Sequence, residues 1–138
     1  MSSVLPRRFL LIACFTCLMI ATGPGHAATP SPVCGTWRGN SECVQSDSPC
    51  HDEVNVYRFA EIPGKPNTFS GSGSKIVDGK EIQMGTLEWT FDPQYHALEA
   101  EVFGNTFRLI VMGNKMEGTL KIGNNVIYRR IHLQRAPN

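Results

Sequence analysis

The sequence predicts an all-β protein, an eight-stranded antiparallel up-and-down β-barrel. Three observations carry that expectation. No helical period of useful length occurs after residue 30. Eight β-type runs are separated by short connections rich in Gly, Asn, Asp and Pro. Several runs alternate apolar and charged residues at period 2, the pattern of a sheet wet on one side only.

The first run is GTWRGNSEC, residues 35–43, followed by a loop that carries Cys50. DEVNVYRFAEI (52–62) is the second run, and PGKPN (63–67) turns the chain with two prolines, a glycine and an asparagine. TFSGSGSKIV (68–77) is a glycine- and serine-rich strand whose small residues leave the wall thin. Asp78-Gly79 is a strong two-residue hairpin signal, and KEIQMGTLEWTF (80–91) follows, with Gly85 suggesting a bulge. DPQ (92–94) leads into YHALEAEVF, Gly104-Asn105 into TFRLIVM, Gly113-Asn114 into KMEGTLKI, and Gly123-Asn124-Asn125 into VIYRRIHLQR. Leu87, Trp89 and Phe91 share one face against Glu88 and Thr90, and Leu98, Ala100 and Val102 oppose Glu99 and Glu101. Connections this short exclude crossover helices, so sequence neighbours pair antiparallel. Eight strands with one dry face each bury it best by curling closed, which also removes exposed edges.

The first 27 residues read as a cleaved secretory signal, residues 28–34 as an N-terminal tail and 35–136 as the barrel domain. Arg7 and Arg8 precede an apolar run from Phe9 to Ala21, and small residues at Gly25, Ala27 and Ala28 follow. The run is shorter than the roughly 20 apolar residues a spanning helix needs, so stable membrane insertion is not expected. LIAC (11–14) has a lipobox-like order but too few apolar residues before its cysteine. Secretion or a periplasmic location is the expectation. Of 13 basic residues two are Arg7 and Arg8, so the mature chain has 11 against 12 acidic ones and a net charge near −1. Such a balance offers no basic stripe for phosphates, and nucleic acid is not an expected partner.

Cleavage leaves Cys34, Cys43 and Cys50, an odd number in an oxidising compartment. Cys43 and Cys50 enclose only VQSDSP and are expected to pair. Cys34 with Cys50 is the alternative. An unpaired Cys34 leaves the protein a monomer, or a dimer through that thiol.

A Gly-x-Trp opening the first strand of an exported eight-stranded meander, here Gly35-Thr36-Trp37, resembles the calycin superfamily of lipocalins, fatty-acid-binding proteins and avidins. The resemblance implies that the tryptophan closes one end of the barrel beneath an arginine from the last strand. In VIYRRIHLQR the parity of Ile127, Ile131 and Leu133 selects Arg129, so Trp37 and Arg129 are the expected closing pair. An indole face attracts a cation by about 0.5 to 2 kcal/mol, which gives an inward guanidinium a place for its charge. Fatty-acid-binding proteins hold a carboxylate with Arg-x-Tyr on late strands. This chain has Tyr128-x-Arg130, on the outward parity, and no single family's ligand carries over.

Catalysis is not expected, and neither is a cofactor. The histidines after the leader are His51, His96 and His132, and catalytic use would need one oriented beside a nucleophile or carboxylate. CHDE (50–53) gathers four metal-ligating residue types, but adjacent ligands on an extended chain diverge and Cys50 is assigned to a disulfide, so no metal site is expected. Binding is the expected mode. Parity places Val54, Val56, Arg58, Trp89, Phe91, Leu98, Val102, Phe107, Leu109 and Val111 inward, with Val56, Arg58, Trp89, Phe91, Phe107 and Leu109 as the candidate ligand-binding set. The expected function is carriage of a small apolar or amphipathic ligand. The alternative is a protein-binding module or inhibitor of a secreted hydrolase, acting through the Cys43–Cys50 loop, which a disulfide would pre-organise.

Overall fold

A computed structural model describes residues 29–137. The expected signal segment and its cleavage site lie outside the described residues. Eight strands follow in order: β1 (Gly35–Cys43), β2 (Glu53–Glu61), β3 (Thr68–Val77), β4 (Lys80–Asp92), β5 (Ala97–Val102), β6 (Asn105–Met112), β7 (Lys115–Ile122) and β8 (Val126–Arg135). Each pairs with its sequence neighbours, and β8 returns to β1, so the sheet is a closed antiparallel up-and-down barrel. No helix occurs among the described residues.

The turns follow their residue chemistry. Asp78 and Gly79 both take positive φ, 50° and 76°, the twist that a two-residue hairpin requires. Between β5 and β6 the positive-φ pair is Phe103-Gly104, one residue earlier than Gly104-Asn105, and Phe103 is 98% exposed there. The bulge lies where Gly85 suggests it. Gly73 pairs with Gly85 and Ser74 with Gln83, so Met84 is the extra residue of β4.

One junction in the wall is short. β4 and β5 are joined only by Thr90, Phe91 and Asp92 against Glu99, Leu98 and Ala97. Continuing that register would set Glu88 opposite Glu101, and like charges directly opposite each other destabilise a ladder. The ladder ends at Thr90, and Lys80 to Thr86 are all exposed. The barrel is closed, but the short β4–β5 junction leaves a seam beyond Thr90 along which the ladder is absent.

Aromatic side chains fill the interior near the base. Tyr57 and Phe59 stack with centroids 6.1 Å apart, and Trp89 stands perpendicular to both at 6.1 and 5.4 Å. Phe107 lies 5.3 Å from Trp89, and Phe69 meets Phe91 edge-on at 6.5 Å. Such geometries add about 0.5 to 1.5 kcal/mol each beyond area burial. Room for Trp89 comes from Gly71, where a Cβ would stand 2.6 Å from Phe59 Cε1 and overlap the indole.

Candidate functional site

The two ends of the barrel differ in chemistry. At the base, Trp37 is fully buried and its indole Nε1 donates to the Val33 carbonyl at 2.9 Å, tying the N-terminal tail beneath the barrel. The cation above it is Arg135, with its guanidinium carbon 4.2 Å from the ring centroid. Arg135 also donates to the carbonyls of Pro32, at 2.6 Å, and Cys34. Gly35, at φ 118°, keeps that guanidinium free of a side chain.

The expected partner, Arg129, is not there. Antiparallel closure sets the start of β1 against the end of β8, so Trp37 pairs with Arg135 while Arg129 pairs with Cys43, toward the opposite end. The Trp37–Arg129 expectation is therefore corrected to Trp37–Arg135.

At the open end, ladder parity turns Ser41, Glu53, Asn55, Tyr57, Lys75 and Arg129 toward the interior. Glu53 Oε1 lies 3.6 Å from both Lys75 Nζ and Arg129 Nη2. Arg129, only 13% exposed, donates through Nη1 to the Ser41 carbonyl (3.2 Å), Ser41 Oγ (3.3 Å) and the His51 carbonyl (3.0 Å). Asn55 Nδ2 donates to Glu53 Oε2 and to the Ser74 carbonyl, both at 3.4 Å. Two cations face one carboxylate, so the cluster carries one excess positive charge. Burial, reinforced by Glu53, pushes the Tyr57 phenol up to about 12.

Beside this cluster runs an apolar row. Arg129 pairs with Leu120, Leu120 with Phe107 and Phe107 with Ala100, so one level of the inner wall passes from guanidinium to hydrocarbon across adjacent strands. Leu87, Phe107 and Leu120 pack on the core yet stay half-buried. The seam between β4 and β5 opens beside them.

Four of the six candidate ligand residues point inward, but only Phe107 lines the open end. Trp89, Phe91 and Leu109 are buried and serve as filling. Trp89 Nε1 is buried with no hydrogen-bond acceptor. Val56 and Arg58 face outward. Tyr57 pairs with Trp37 and holds the inner face, so Val56 pairs with Arg38 and Ser74 on the outer one, where it is nonetheless buried. Arg58 is half exposed and forms a two-pronged pair with Glu81 across the outer wall, the second prong at 3.0 Å. That pairing and a hydrogen bond from Ser74 hold the Glu81 carboxyl down at about 2.

The apolar alternation of the sequence does not single out Glu53, Asn55, Tyr57 and Lys75. The run EVNVYRF is apolar in both phases, Val54 and Val56 in one, Tyr57 and Phe59 in the other. The larger aromatics were the better guide to the inner face. The disulfide is Cys43–Cys50, and Cys34 has no disulfide partner among the described residues. A separate open cleft of about 1090 Å³ lies outside the base, bounded by Pro32, Ile62, Pro66, Phe69, Phe91 and His96. Its lining also carries Glu61 and Lys65, one charge of each sign. No family model, curated protein or solved structure matches the chain.

Proposed function

We propose that the protein is an exported carrier of a small amphipathic ligand held in the open half of the barrel. The apolar part lies on Leu87, Phe107 and Leu120. An anionic head group meets the excess positive charge of Lys75 and Arg129 beside Glu53. The observation that carries this reading is the row Arg129–Leu120–Phe107, where inward hydrocarbon next to a guanidinium stays half-buried. Buried apolar walls with a few convergent polar groups are the usual makeup of small-molecule sites. Because aromatics occupy the base, the ligand is short or enters only partway.

Phe107 touches Trp89, so tryptophan fluorescence reports occupancy. Titration with dodecanoate is expected to change that emission saturably, with dodecyltrimethylammonium binding at least tenfold more weakly. Lys75→Glu is expected to reverse the preference. Absence of saturable binding, or equal affinity for the two amphiphiles, defeats the proposal.

The inhibitor reading has one observation in its favour. The Cys43–Cys50 loop is braced by Arg129 at the His51 carbonyl, by Gln45 Nε2 at the Ile127 carbonyl (3.0 Å) and by the Cys43 amide at Asp52 Oδ1 (2.7 Å). A braced loop loses little entropy on docking. Co-purification of a secreted hydrolase, lost when residues 45–49 are replaced by glycine and serine, is the result that would favour it.

A further inference from the structure

Three features meet at the seam. First, the ladder between β4 and β5 stops at Thr90, so residues 80–89 of β4 have no strand on that side. About every second residue there turns its N–H and C=O outward, the template on which an extended chain adds. Second, the inner face beside this edge is apolar, with Leu87 half-buried against the core and Trp89 in contact with Phe107. Third, the outer face carries one uncompensated carboxylate. Glu88 is held by Lys65 at 2.7 Å and Glu99 by Arg108, whereas Glu101 is exposed with no basic partner at salt-bridge distance among the described residues.

The tip of β5 adds a strained residue. Phe103 holds φ 50° and exposes nearly its whole ring at the head of the seam. A bulky aromatic in the left-handed region is costly, and such strain concentrates at functional sites.

We infer that the free edge of β4 receives an extended peptide strand of a partner protein, with apolar residues directed inward and a lysine or arginine between Glu88 and Glu101. The partner strand supplies a cation for Glu101, which has none at salt-bridge distance among the described residues. Parity follows from the register: a residue placed between Glu88 and Glu101 faces outward, so its neighbours face Leu87 and Trp89. A second copy of this chain is a poorer occupant. Two β4 edges paired antiparallel about Met84 and Gly85 would set Glu81 against Glu88 twice over. This inference stands on the seam alone, whether or not the open end carries a small ligand.

The test uses a labelled, end-capped nine-residue peptide of alternating valine and threonine with lysine in place of the first threonine, at the second position, so that antiparallel pairing with residues 81–89 sets the lysine opposite Glu88, on the same face as the threonines. It is expected to bind the full chain in fluorescence anisotropy and to slow amide hydrogen exchange at residues 81–89. The same peptide with glutamate at that second position is expected to bind at least tenfold more weakly. Glu101→Lys, which removes the like-charge clash, is expected to extend the β4–β5 ladder, raise the melting temperature and weaken the lysine peptide at least tenfold. Comparison of the two peptides on the unmodified protein keeps the test valid if that variant fails to fold. Equal binding of the two peptides overturns the inference, as does protection located elsewhere. A dimer in sedimentation with residues 81–89 already protected overturns it in favour of a second copy. Dodecanoate binding is read separately, so loss of one activity does not decide the other.

Discussion

The guanidinium of Arg135 lies 4.2 Å above the indole of Trp37 and donates to two carbonyls of the N-terminal tail. One contact thus joins the first strand, the last strand and the segment that crosses the base. Arg135→Ala removes the cation–π attraction and two charge-assisted hydrogen bonds, and is expected to cost about 2 to 3 kcal/mol in urea unfolding. Arg135→Lys recovers only part of this, because an ammonium neither stacks flat nor forks to two carbonyls. Arg129→Ala, by contrast, is expected to leave Trp37 emission unchanged while speeding hydrogen exchange in residues 44–52, since Arg129 clamps that loop through His51.

The barrel itself was legible because short turns and period-2 alternation leave few other ways to cover eight dry faces. Arg129 lies at the wrong end of β8 to reach Trp37. Parity admits both Arg129 and Arg135, but only the arginine at the end of β8 reaches the start of β1. Antiparallel closure of the chain selects Arg135 from the same residues. In β2 the failure was of phase, since Val-x-Val and Tyr-x-Phe compete for the interior. The seam was hidden for another reason. The Glu88–Glu101 opposition exists only once the β4–β5 register is known, and the DPQ turn alone does not fix it.

Two glycines on one strand make a paired prediction about packing. A Cβ at Gly71 would overlap Trp89 and stand 2.6 Å from Phe59, whereas one at Gly73 would lie 3.4 Å from Tyr57. Gly71→Ala is expected to destabilise by about 1 to 3 kcal/mol, the cost of displacing rings in a filled interior. Gly73→Ala is expected to be neutral or slightly stabilising, because alanine restricts the unfolded chain without a clash. Urea midpoints of the two variants distinguish these outcomes, and equal effects would refute the packing argument.

The Cys43–Cys50 link spans a sequence separation of seven. Loop-closure entropy for a ring of that size corresponds to about 2 to 3 kcal/mol. The double variant Cys43→Ser with Cys50→Ser is expected to lose up to that amount yet remain folded, because the loop keeps its ties to Arg129 and Gln45. Near-UV circular dichroism checks retention of the aromatic core, and hydrogen exchange in residues 44–52 reports the loosened loop.

Tyr57 links the buried interior to alkaline stability. Burial, with Glu53 acting in the same direction, raises its phenol from 10.0 to about 12. Below pH 10 both folded and unfolded states keep the proton, so Tyr57 contributes no pH dependence. Between pH 10 and 12 the unfolded chain gives up its proton while the folded one retains it, so the unfolded state binds fewer protons and stability falls as pH rises. The decline levels off above the folded value. A shift of this size removes about 2 kcal/mol by pH 11.5. Tyr57→Phe keeps the stack on Phe59 and has nothing to titrate, so its stability is expected to fall less over the same range. The comparison is the difference in urea midpoint between pH 9 and pH 11.5 for the two proteins. If both fall equally, Tyr57 is not the group that couples the interior to alkaline pH.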